Sequence, residues 1–351
     1  DIYASKKPCQ YKVMNKTNNF CNTPFIYILG KDKKPALTFS SDSDSVYAHY
    51  TDKNTTKIDI DLEDYTPIGL KGDFLYMAET SGIGSHGLSV LNLKSKRVQS
   101  IIPDDCHSVL NAMTSLNNPI PYAAGMDCDG KKEIIYFDQD NRDAQILSQL
   151  APSFPDKTIT LGNWTDANDR ALLTIEDSSV VQEVFLLDLK QGALKPIGRT
   201  SNVPKDRLHK MVSKKFTTRD GESIYGYLTM PKGKVERLIV YIHGGPYGIR
   251  DYDSYDFSEQ YLASKGAAIL KVNYRGSGGY GTDFMEDAFQ EWGGRLLNDI
   301  ADATKAVQKE LSIGREQTCA FGASYGGYAA LAMAYKSVSY THLRAHETNV
   351  D

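Results

Sequence analysis

Length, composition and charge describe an ordinary globular chain. It has 351 residues, 41% hydrophobic and 24% charged, which is enough for two domains with hydrophobic cores. The net charge of −4 comes from 44 acidic and 40 basic residues without long blocks of one sign, so neither nucleic acid nor an anionic membrane is needed as a partner. The apolar run at residues 238–242 is far too short to span a bilayer.

The cysteines and the first residues leave the cellular compartment open between cytoplasm and a periplasmic or secreted location. The cysteines are Cys9, Cys21, Cys106, Cys128 and Cys319. We expect Cys319 to be a small buried apolar residue, and the other four would permit disulfides in an oxidising compartment. No C-x-x-C metal spacing is present, and no metal or cofactor is predicted. The chain has no basic and apolar leader, so either a signal peptide has been removed or the start is missing.

The first part of the chain, residues 1–205, is predicted to be all-β and built from repeats. Strand-like segments at 74–78, 122–126 and 171–175 are each followed by another, at 87–93, 133–138 and 183–189. Asn92, Asp138 and Asp188 are then equivalent, with spacings of 46 and 50 residues, the length of a four-stranded propeller blade. This length allows four to five blades, so we predict an incomplete β-propeller. A β-sandwich with fortuitous periodicity is the alternative.

From residue 206 onward strands and helices alternate, which predicts a mostly parallel, doubly wound sheet with helices on its faces. The predicted elements are a hairpin at Asp220-Gly221, a buried strand at 238–242, a helix at 257–265, a buried strand at 267–274, and a helix with a stripe of Leu297, Ile300, Thr304, Val307 and Leu311. In such a sheet functional residues lie at the carboxyl ends of the strands.

The motif that indicates chemistry is Gly322-Ala323-Ser324-Tyr325-Gly326. An apolar run precedes it and a small-residue helical run follows it, which is the strand–turn–helix setting of a nucleophile elbow. Ser324 is therefore the predicted nucleophile, and the backbone N–H of Tyr325 is a predicted oxyanion donor.

A second oxyanion donor is expected after the strand at 238–242, where the chain reads His243-Gly244-Gly245-Pro246. We predict that the N–H of Gly245 is this donor, because glycines let the backbone approach a substrate closely; an ordinary strand-ending turn is the alternative. His243 is a poor candidate for the base, because the histidine follows the serine in this fold order.

Four segments together resemble the prolyl oligopeptidase family of serine peptidases, in the acylaminoacyl-peptidase-like branch that includes dipeptidyl and oligopeptidases. They are the His-Gly-Gly-Pro segment 243–246, the glycine-rich segment 273–281, the Trp-Gly-Gly segment 292–294 with Asp299, and the elbow 322–328. The resemblance implies a propeller joined to an α/β-hydrolase domain, with the propeller admitting only short peptides. For three matching residues we expect structural roles: Arg275 braces the glycine-rich loop, Asp299 lies at the start of a helix, and Trp292 lies in the core.

The family pattern also requires an aspartate and then a histidine after Ser324, on loops that follow later strands. Only 27 residues follow Ser324, fewer than the roughly 30 that one strand–helix–strand crossover takes. His342 and His346 come too early, and Asp351 follows both, which is the wrong order. We therefore expect no triad aspartate or histidine in this chain and no activity from the chain as given.

The tail, residues 339–351, departs from the strand–helix alternation and looks like the translation of sequencing-adapter read-through. We therefore expect a fragment truncated at both ends, in which 206–338 is the first part of the hydrolase domain and 339–351 is not native.

The leading prediction is a serine peptidase that cleaves short peptides through an acyl-enzyme on Ser324. Two alternatives stay open: an esterase on the same scaffold, and a propeller-bearing binding protein that has the elbow but no base. The sequence does not distinguish exopeptidase from endopeptidase, and it leaves side-chain preference and oligomeric state open.

Overall fold

A computed structural model describes residues 65–80, 85–102, 109–115, 118–128, 131–155, 157–177 and 180–336, together with the backbone of six short strands outside these ranges. The chain divides into two compact units. The first is Asp1–Met126 with Ile134–Gln145, and the second is Asp127–Glu133 with Ile146–Asp351. The domain boundary expected near residue 205 stays a prediction.

The first part of the chain forms antiparallel sheets in which each strand pairs with the next along the chain. The first sheet contains β1 (Ala4–Ser5), β2 (Phe25–Leu29), β3 (Pro35–Ser41), β4 (Val46–Tyr50) and β5 (Thr56–Ile58). The second contains β6 (Tyr65–Lys71), β7 (Phe74–Thr80), β8 (Ser85–Asn92) and β9 (Arg97–Ser100). The third contains β10 (Val109–Ser115), β11 (Asn118–Cys128) and β12 (Lys131–Tyr136). Leu75 and Met77 of β7 are fully buried two residues apart, as expected of a strand with one face in a core.

A helix follows these sheets and corrects the expectation of an all-β region. Helix α1 (Arg142–Leu150) begins after Asn141, whose side-chain Oδ1 accepts the backbone N–H of Asp143 at 2.8 Å and of Ala144 at 3.3 Å. Ala144 and Leu147, three residues apart, are buried. An asparagine cap before apolar residues at helical spacing was the signal in the sequence.

A fourth antiparallel sheet contains β13 (Thr158–Trp164), β14 (Arg170–Asp177), β15 (Val180–Asp188) and β16 (Ala193–Arg199). Of the six strand-like segments predicted from the repeat, three lie wholly on strands, and 87–93, 133–138 and 183–189 extend one or two residues past the ends of theirs. Each predicted pair forms two neighbouring strands of one sheet, namely β7 with β8, β11 with β12, and β14 with β15.

The last sheet is mixed and is interleaved with helices, as predicted. Its strands are β17 (Met211–Thr217), β18 (Ser223–Thr229), β19 (Arg237–Ile242), β20 (Ala267–Asn273), β21 (Thr318–Ala323) and β22 (His342–His346). Its helices are α2 (Phe257–Ser264), α3 (Thr282–Glu286), α4 (Arg295–Leu311) and α5 (Tyr325–Lys336), and short 3-10 helices lie at Ala151–Ser153, Lys205–Arg207 and Arg315–Gln317. The strand order is β17-β18-β20-β19-β21-β22. The β17–β18 and β18–β20 pairs are antiparallel and the rest are parallel.

Strand β22 is a difference from expectation. It pairs in parallel with β21, with Leu343 opposite Ala320, although the alternation of strands and helices was expected to stop at residue 339. Its five residues, His-Leu-Arg-Ala-His, contain too few apolar side chains to predict a strand. Whether residues 339–351 are native stays a prediction.

The core of the mixed sheet is formed by β19, β20 and the helices that cover them. Leu238, Val240 and Ile242 of β19 are buried, and so is the predicted stripe of α4 from Leu297 to Val307, with Leu311 only partly buried. Each such side chain contributes about 1.5–3 kcal/mol on burial. Within the described part of the chain, no helix combines the length and apolar character needed to cross a membrane.

Candidate active site

Ser324 lies on a sharp turn between β21 and α5, so the strand and the helix predicted around it are present. Its φ of +56° is in the left-handed region that side-chain-bearing residues rarely adopt. The turn fits because the residues two positions before and after Ser324 are glycines: a methyl group on Gly322 would lie 2.5 Å from the carbonyl of Gly326 and 2.7 Å from the carbonyl oxygen of Ile242. The elbow is therefore pressed against the end of β19.

The loop after β19 and the elbow after β21 meet at the same edge of the sheet. The two strands are parallel neighbours, with Ile242 opposite Gly322. A methyl group on Gly244 would lie 3.4 Å from Cβ of Ser324 and 3.8 Å from its Oγ. The structure therefore brings together the two segments, His-Gly-Gly-Pro and the elbow, that carry all the predicted site residues.

The two predicted oxyanion donors differ in their backbone: Gly245 has a conformation that favours glycine, and Tyr325 begins a helix. Gly245 has a φ of +121°, and a methyl group there would lie 2.9 Å from the backbone nitrogen of Tyr247. Tyr325 is the first residue of α5, where backbone N–H groups have no partner within the helix and the helix dipole favours negative charge. No residue that the structure describes accepts a hydrogen bond from the N–H of Gly245 or of Tyr325.

His243 is bound in a structural network and does not face the serine hydroxyl. Its Nδ1 lies 2.8 Å from the carbonyl oxygen of Gly244, its Nε2 lies 3.0 Å from Oγ of Ser277, and its ring stacks on Tyr274 at 4.4 Å. Burial lowers the pKa of His243 to about 4, so the ring is neutral near pH 7. This geometry agrees with the expectation that His243 is not the base.

The glycine-rich segment after β20 pairs with the loop after β19 through its backbone. Gly248 N–H donates to the carbonyl of Gly276 at 2.9 Å, and Gly278 N–H donates to the carbonyl of Ile249 at 3.1 Å. Gly276 has a φ of +97°, and a methyl group there would lie 2.8 Å from Cβ of Ala288. The segment therefore supports the loop that contains Gly245.

Arg275 braces this segment, as predicted. Its guanidinium contacts Asp299 Oδ1 at 2.6 Å and Asp220 Oδ2 at 2.7 Å. The hydrogen bonds from Arg275 hold the pKa of Asp220 at about 2. Asp299 lies in the second turn of α4, so its partner is this arginine and not the helix N-terminus that we expected. The sequence indicated the brace but not Asp220.

Trp292 corrects another expectation, because its side chain is 49% exposed and not in the core. Its indole N–H donates to the hydroxyl of Tyr247 at 2.8 Å, and its carbonyl accepts the hydroxyl of Tyr325 at 2.8 Å. Sequence reasoning missed Tyr247, since nothing local distinguishes it. Together these aromatic residues fix the side chain of Tyr325 beside the elbow.

The described residues include neither a metal-ligand cluster nor a disulfide. Among the described residues, no group of three or more His, Cys, Asp and Glu side chains is arranged to hold a metal ion. Cys319 is a free thiol and only partly buried, which differs from the expected full burial. The side chains of the other four cysteines lie outside the described residues.

A serine on a sharp turn between a parallel strand and a helix, next to a glycine loop at the end of the neighbouring strand, is the arrangement used by serine hydrolases. Residues 253–351 match the model of the prolyl oligopeptidase family. Dipeptidyl aminopeptidase BIII of Pseudoxanthomonas mexicana is 37% identical over 126 residues, which cover 33% of this chain and 18% of that enzyme. The predicted resemblance to the prolyl oligopeptidase family is thereby confirmed.

Solved structures extend the likeness along the chain. A puromycin-hydrolyzing peptidase of Mycobacterium tuberculosis matches with a TM-score of 0.62 and 18% identity, over 88% of this chain and 48% of that one. The acylaminoacyl peptidase of Pyrococcus horikoshii matches with a TM-score of 0.60 and 18% identity, over 92% of this chain and 50% of that one. At this identity the likeness is one of fold. The chain spans about half the length of these structures.

Proposed function

We propose that the protein is a serine peptidase that hydrolyses peptide bonds of short peptides through an acyl-enzyme on Ser324. The observation that carries the proposal is the contact between Gly244 and Ser324, since it joins a nucleophile to a loop with N–H donors. In the reaction, Oγ of Ser324 attacks the carbonyl carbon of the scissile bond and its proton passes through a base to the leaving amine. Water then hydrolyses the ester, releasing the acid and restoring the serine.

The charge on the tetrahedral oxygen would be stabilised by the N–H groups of Gly245 and Tyr325. Donors of this kind act strongly because they are fixed before the charge develops, and one of them is worth about 100- to 1000-fold in rate. The fixed turn at Ser324 and the packed glycines around it support this assignment.

The base and its aspartate partner are assigned to sequence outside these 351 residues. His243 is neutral and bonded to Ser277, and no described residue hydrogen-bonds to the hydroxyl of Ser324. The curated relative and the solved structures are longer than this chain, which accords with the assignment. The 351-residue chain by itself is then expected to be inactive.

The proposal for the domains follows the same similarity. Residues 1–205 would form an incomplete β-propeller of four to five blades, 206–338 the first part of an α/β-hydrolase domain, and 339–351 a non-native tail. The antiparallel sheets with strands in chain order support the propeller. By the same similarity the propeller would act as a size filter that admits short peptides and excludes folded proteins.

The test expresses the complete reading frame that contains this sequence, with Ser324→Ala and a control. Ser264→Ala is the matched control, because Ser264 is an exposed serine at the end of α2 whose hydroxyl donates to the carbonyl of Tyr261 at 2.6 Å. Fluorogenic dipeptidyl and N-acyl-aminoacyl amides are compared with p-nitrophenyl butyrate. We expect amide turnover that Ser324→Ala lowers by about 10⁴-fold or more and Ser264→Ala leaves unchanged.

The other outcomes separate the alternatives. Turnover of the ester alone would indicate an esterase, and a complete frame that turns over neither substrate would indicate a binding protein. Amide turnover that survives Ser324→Ala would refute the nucleophile. Strong labelling of the 351-residue chain by a fluorophosphonate would contradict its expected inactivity.

A further inference from the structure

We propose that Asp299 and Asp220 are positioning residues for the oxyanion site. Through Arg275 they fix the glycine-rich loop, residues 275–281, which in turn holds the oxyanion loop, residues 243–249. The inference rests on the proposed function, because it concerns the placement of the N–H of Gly245.

Arg275 is buried between two carboxylates that come from separate elements. Asp299 comes from α4 and Asp220 from the β17–β18 turn. The side chain of Arg275 is 3% exposed and that of Asp299 is 0% exposed. Each carboxylate accepts two hydrogen bonds from the Arg275 guanidinium, at 2.6 and 3.0 Å for Asp299 and at 2.7 and 3.2 Å for Asp220. Forked pairs of this kind fix direction as well as distance.

Asp299 also holds the main chain at the start of the glycine-rich loop. Asp299 Oδ2 also accepts the backbone N–H of Arg275 at 3.0 Å, so one carboxylate holds both the guanidinium and the backbone at the start of the glycine-rich loop. The next residue, Gly276, donates its N–H to the carbonyl of Phe284 at 2.9 Å and has Ala288 against its Cα. The loop therefore has little freedom to move without Asp299 moving too.

The glycine-rich loop is in turn hydrogen-bonded to the oxyanion loop. Three hydrogen bonds join them: Gly248 N–H to the Gly276 carbonyl, Gly278 N–H to the Ile249 carbonyl, and the Ser277 hydroxyl to Nε2 of His243 at 3.0 Å. These bonds attach the oxyanion loop near both of its ends, before and after Gly245. A shift of the glycine-rich loop is therefore transmitted to the backbone of Gly245, whose N–H is the proposed oxyanion donor.

The glycines themselves support this interpretation. Gly276, Gly278 and Gly281 follow β20 with the spacing G-x-G-x-x-G, which in other folds brings a backbone close to a pyrophosphate. Here a methyl group on Gly278 would collide with the carbonyl oxygen of Gly248. In this protein, Gly278 lets the glycine-rich loop approach the oxyanion loop closely.

The test uses Asp299→Asn and Asp220→Asn in the 351-residue chain, with Asp302→Asn as matched control. Asp302 lies three residues after Asp299 on α4 and pairs with Arg219 of the same β-turn at 2.7 Å, but has no bond to the glycine-rich loop. Amide hydrogen exchange is measured by mass spectrometry for peptides that cover 243–250 and 275–281. This measurement needs no turnover, so it stands even if the proposed function fails.

We expect Asp299→Asn to raise exchange at least about tenfold in both loops, Asp220→Asn to raise it less, and Asp302→Asn to leave both within about twofold. Asp220→Asn is the second variant because Asp220 is the more exposed partner, so that variant is expected to fold if Asp299→Asn does not. Unchanged exchange in both loops of a folded Asp299→Asn or Asp220→Asn chain, or an equal effect of Asp302→Asn, would overturn the inference.

In an active complete protein, the same variants give a second readout. Loss of oxyanion placement lowers kcat with KM nearly unchanged, since the oxyanion forms only in the transition state. We expect a fall in kcat of about 10- to 100-fold for Asp299→Asn, and none for Asp302→Asn. A rise in KM with kcat unchanged would overturn the positioning role while leaving the proposed peptidase activity intact.

Discussion

Lowering the pH from 7 to 5 should weaken the fold through His243, and replacement of this residue by glutamine should remove that loss. The ring is enclosed by the carbonyl of Gly244, the hydroxyls of Ser277 and Tyr274, and the positive charge of Arg250 farther away. No carboxylate is among these groups, and the hydrogen bond to the Gly244 carbonyl offsets only part of the cost of burying an imidazolium here. Protonation must therefore favour the unfolded chain.

The magnitude follows from the two pKa values of the ring. The pKa of His243 is about 4 in the fold and 6.5 when unperturbed. Because the folded value is the lower one, the unfolded chain binds the proton more readily, and stability is complete above pH 6.5 and is lost as the pH falls toward 4. The full loss in the free energy of unfolding is about 3 kcal/mol, and about 2 kcal/mol of it occurs between pH 7 and pH 5.

Asp251 acts in the opposite direction in the same range. Burial raises its pKa from 3.8 to about 6, so its contribution to stability is complete below 3.8 and is lost as the pH rises through 6. When the pH falls from 7 to 5, this carboxyl raises the free energy of unfolding by about 1.3 kcal/mol. The two groups therefore nearly cancel in the wild-type chain and must be separated by mutation.

The assay is urea unfolding followed by tryptophan fluorescence at pH 7 and pH 5, on the wild-type chain, His243→Gln and Asp251→Asn. All other titrating groups are shared, so the pH-dependent differences between the three proteins isolate the two residues. Relative to wild type, His243→Gln should gain about 2 kcal/mol on going to pH 5 and Asp251→Asn should lose about 1.3 kcal/mol. If His243→Gln and wild type change equally between the two pH values, the buried neutral histidine is refuted.

Two further predictions concern packing and a buried ion pair. Gly322→Ala should lower the free energy of unfolding in urea by about 3 kcal/mol or more, because its methyl group meets backbone on both sides. Gly314→Ala, with open space around the residue, should change it by less than about 1 kcal/mol. Equal effects of the two variants would contradict this packing. Lys271 contacts Glu259 at 2.5 Å with both side chains buried, so Lys271→Met should cost about 3–5 kcal/mol by leaving a buried carboxylate unpaired. The double variant with Glu259→Leu should recover most of that loss in the same measurement, and an additive double variant would show that the pair is not coupled.

The elbow was predictable because its signals are local. The apolar strand, the serine between glycines and the small-residue helix all lie within about twenty residues, and the turn geometry follows from that order. The oxyanion loop needed one further rule, that carboxyl ends of parallel strands meet at one edge, and β19 and β21 obey it as neighbours. Both inferences required no knowledge of side-chain packing.

The partners of Arg275 could not be predicted in the same way. Asp220 precedes it by 55 residues and Asp299 follows it by 24, and only the packing of the β17–β18 turn and α4 against the sheet brings them together. The exposure of Trp292 also depends on packing, which a tryptophan before two glycines does not reveal. Helix α1, in contrast, had a local signal in Asn141 that the strand-rich surroundings obscured.

Glycine, and not charge, is the common feature of the site, and the reason is that three backbones are stacked on one another. The elbow lies against the end of β19 at Gly322, the oxyanion loop lies against Ser324 at Gly244, and the glycine-rich loop lies against the oxyanion loop at Gly278. A methyl group at Gly322 or Gly278 would collide with the neighbouring backbone and separate two layers, whereas one at Gly244 would only touch the side chain of Ser324. The ionised groups of this region, Arg275 and its two carboxylates, hold the start of the glycine-rich loop, and none of their hydrogen bonds goes to Gly244, Gly245 or Ser324.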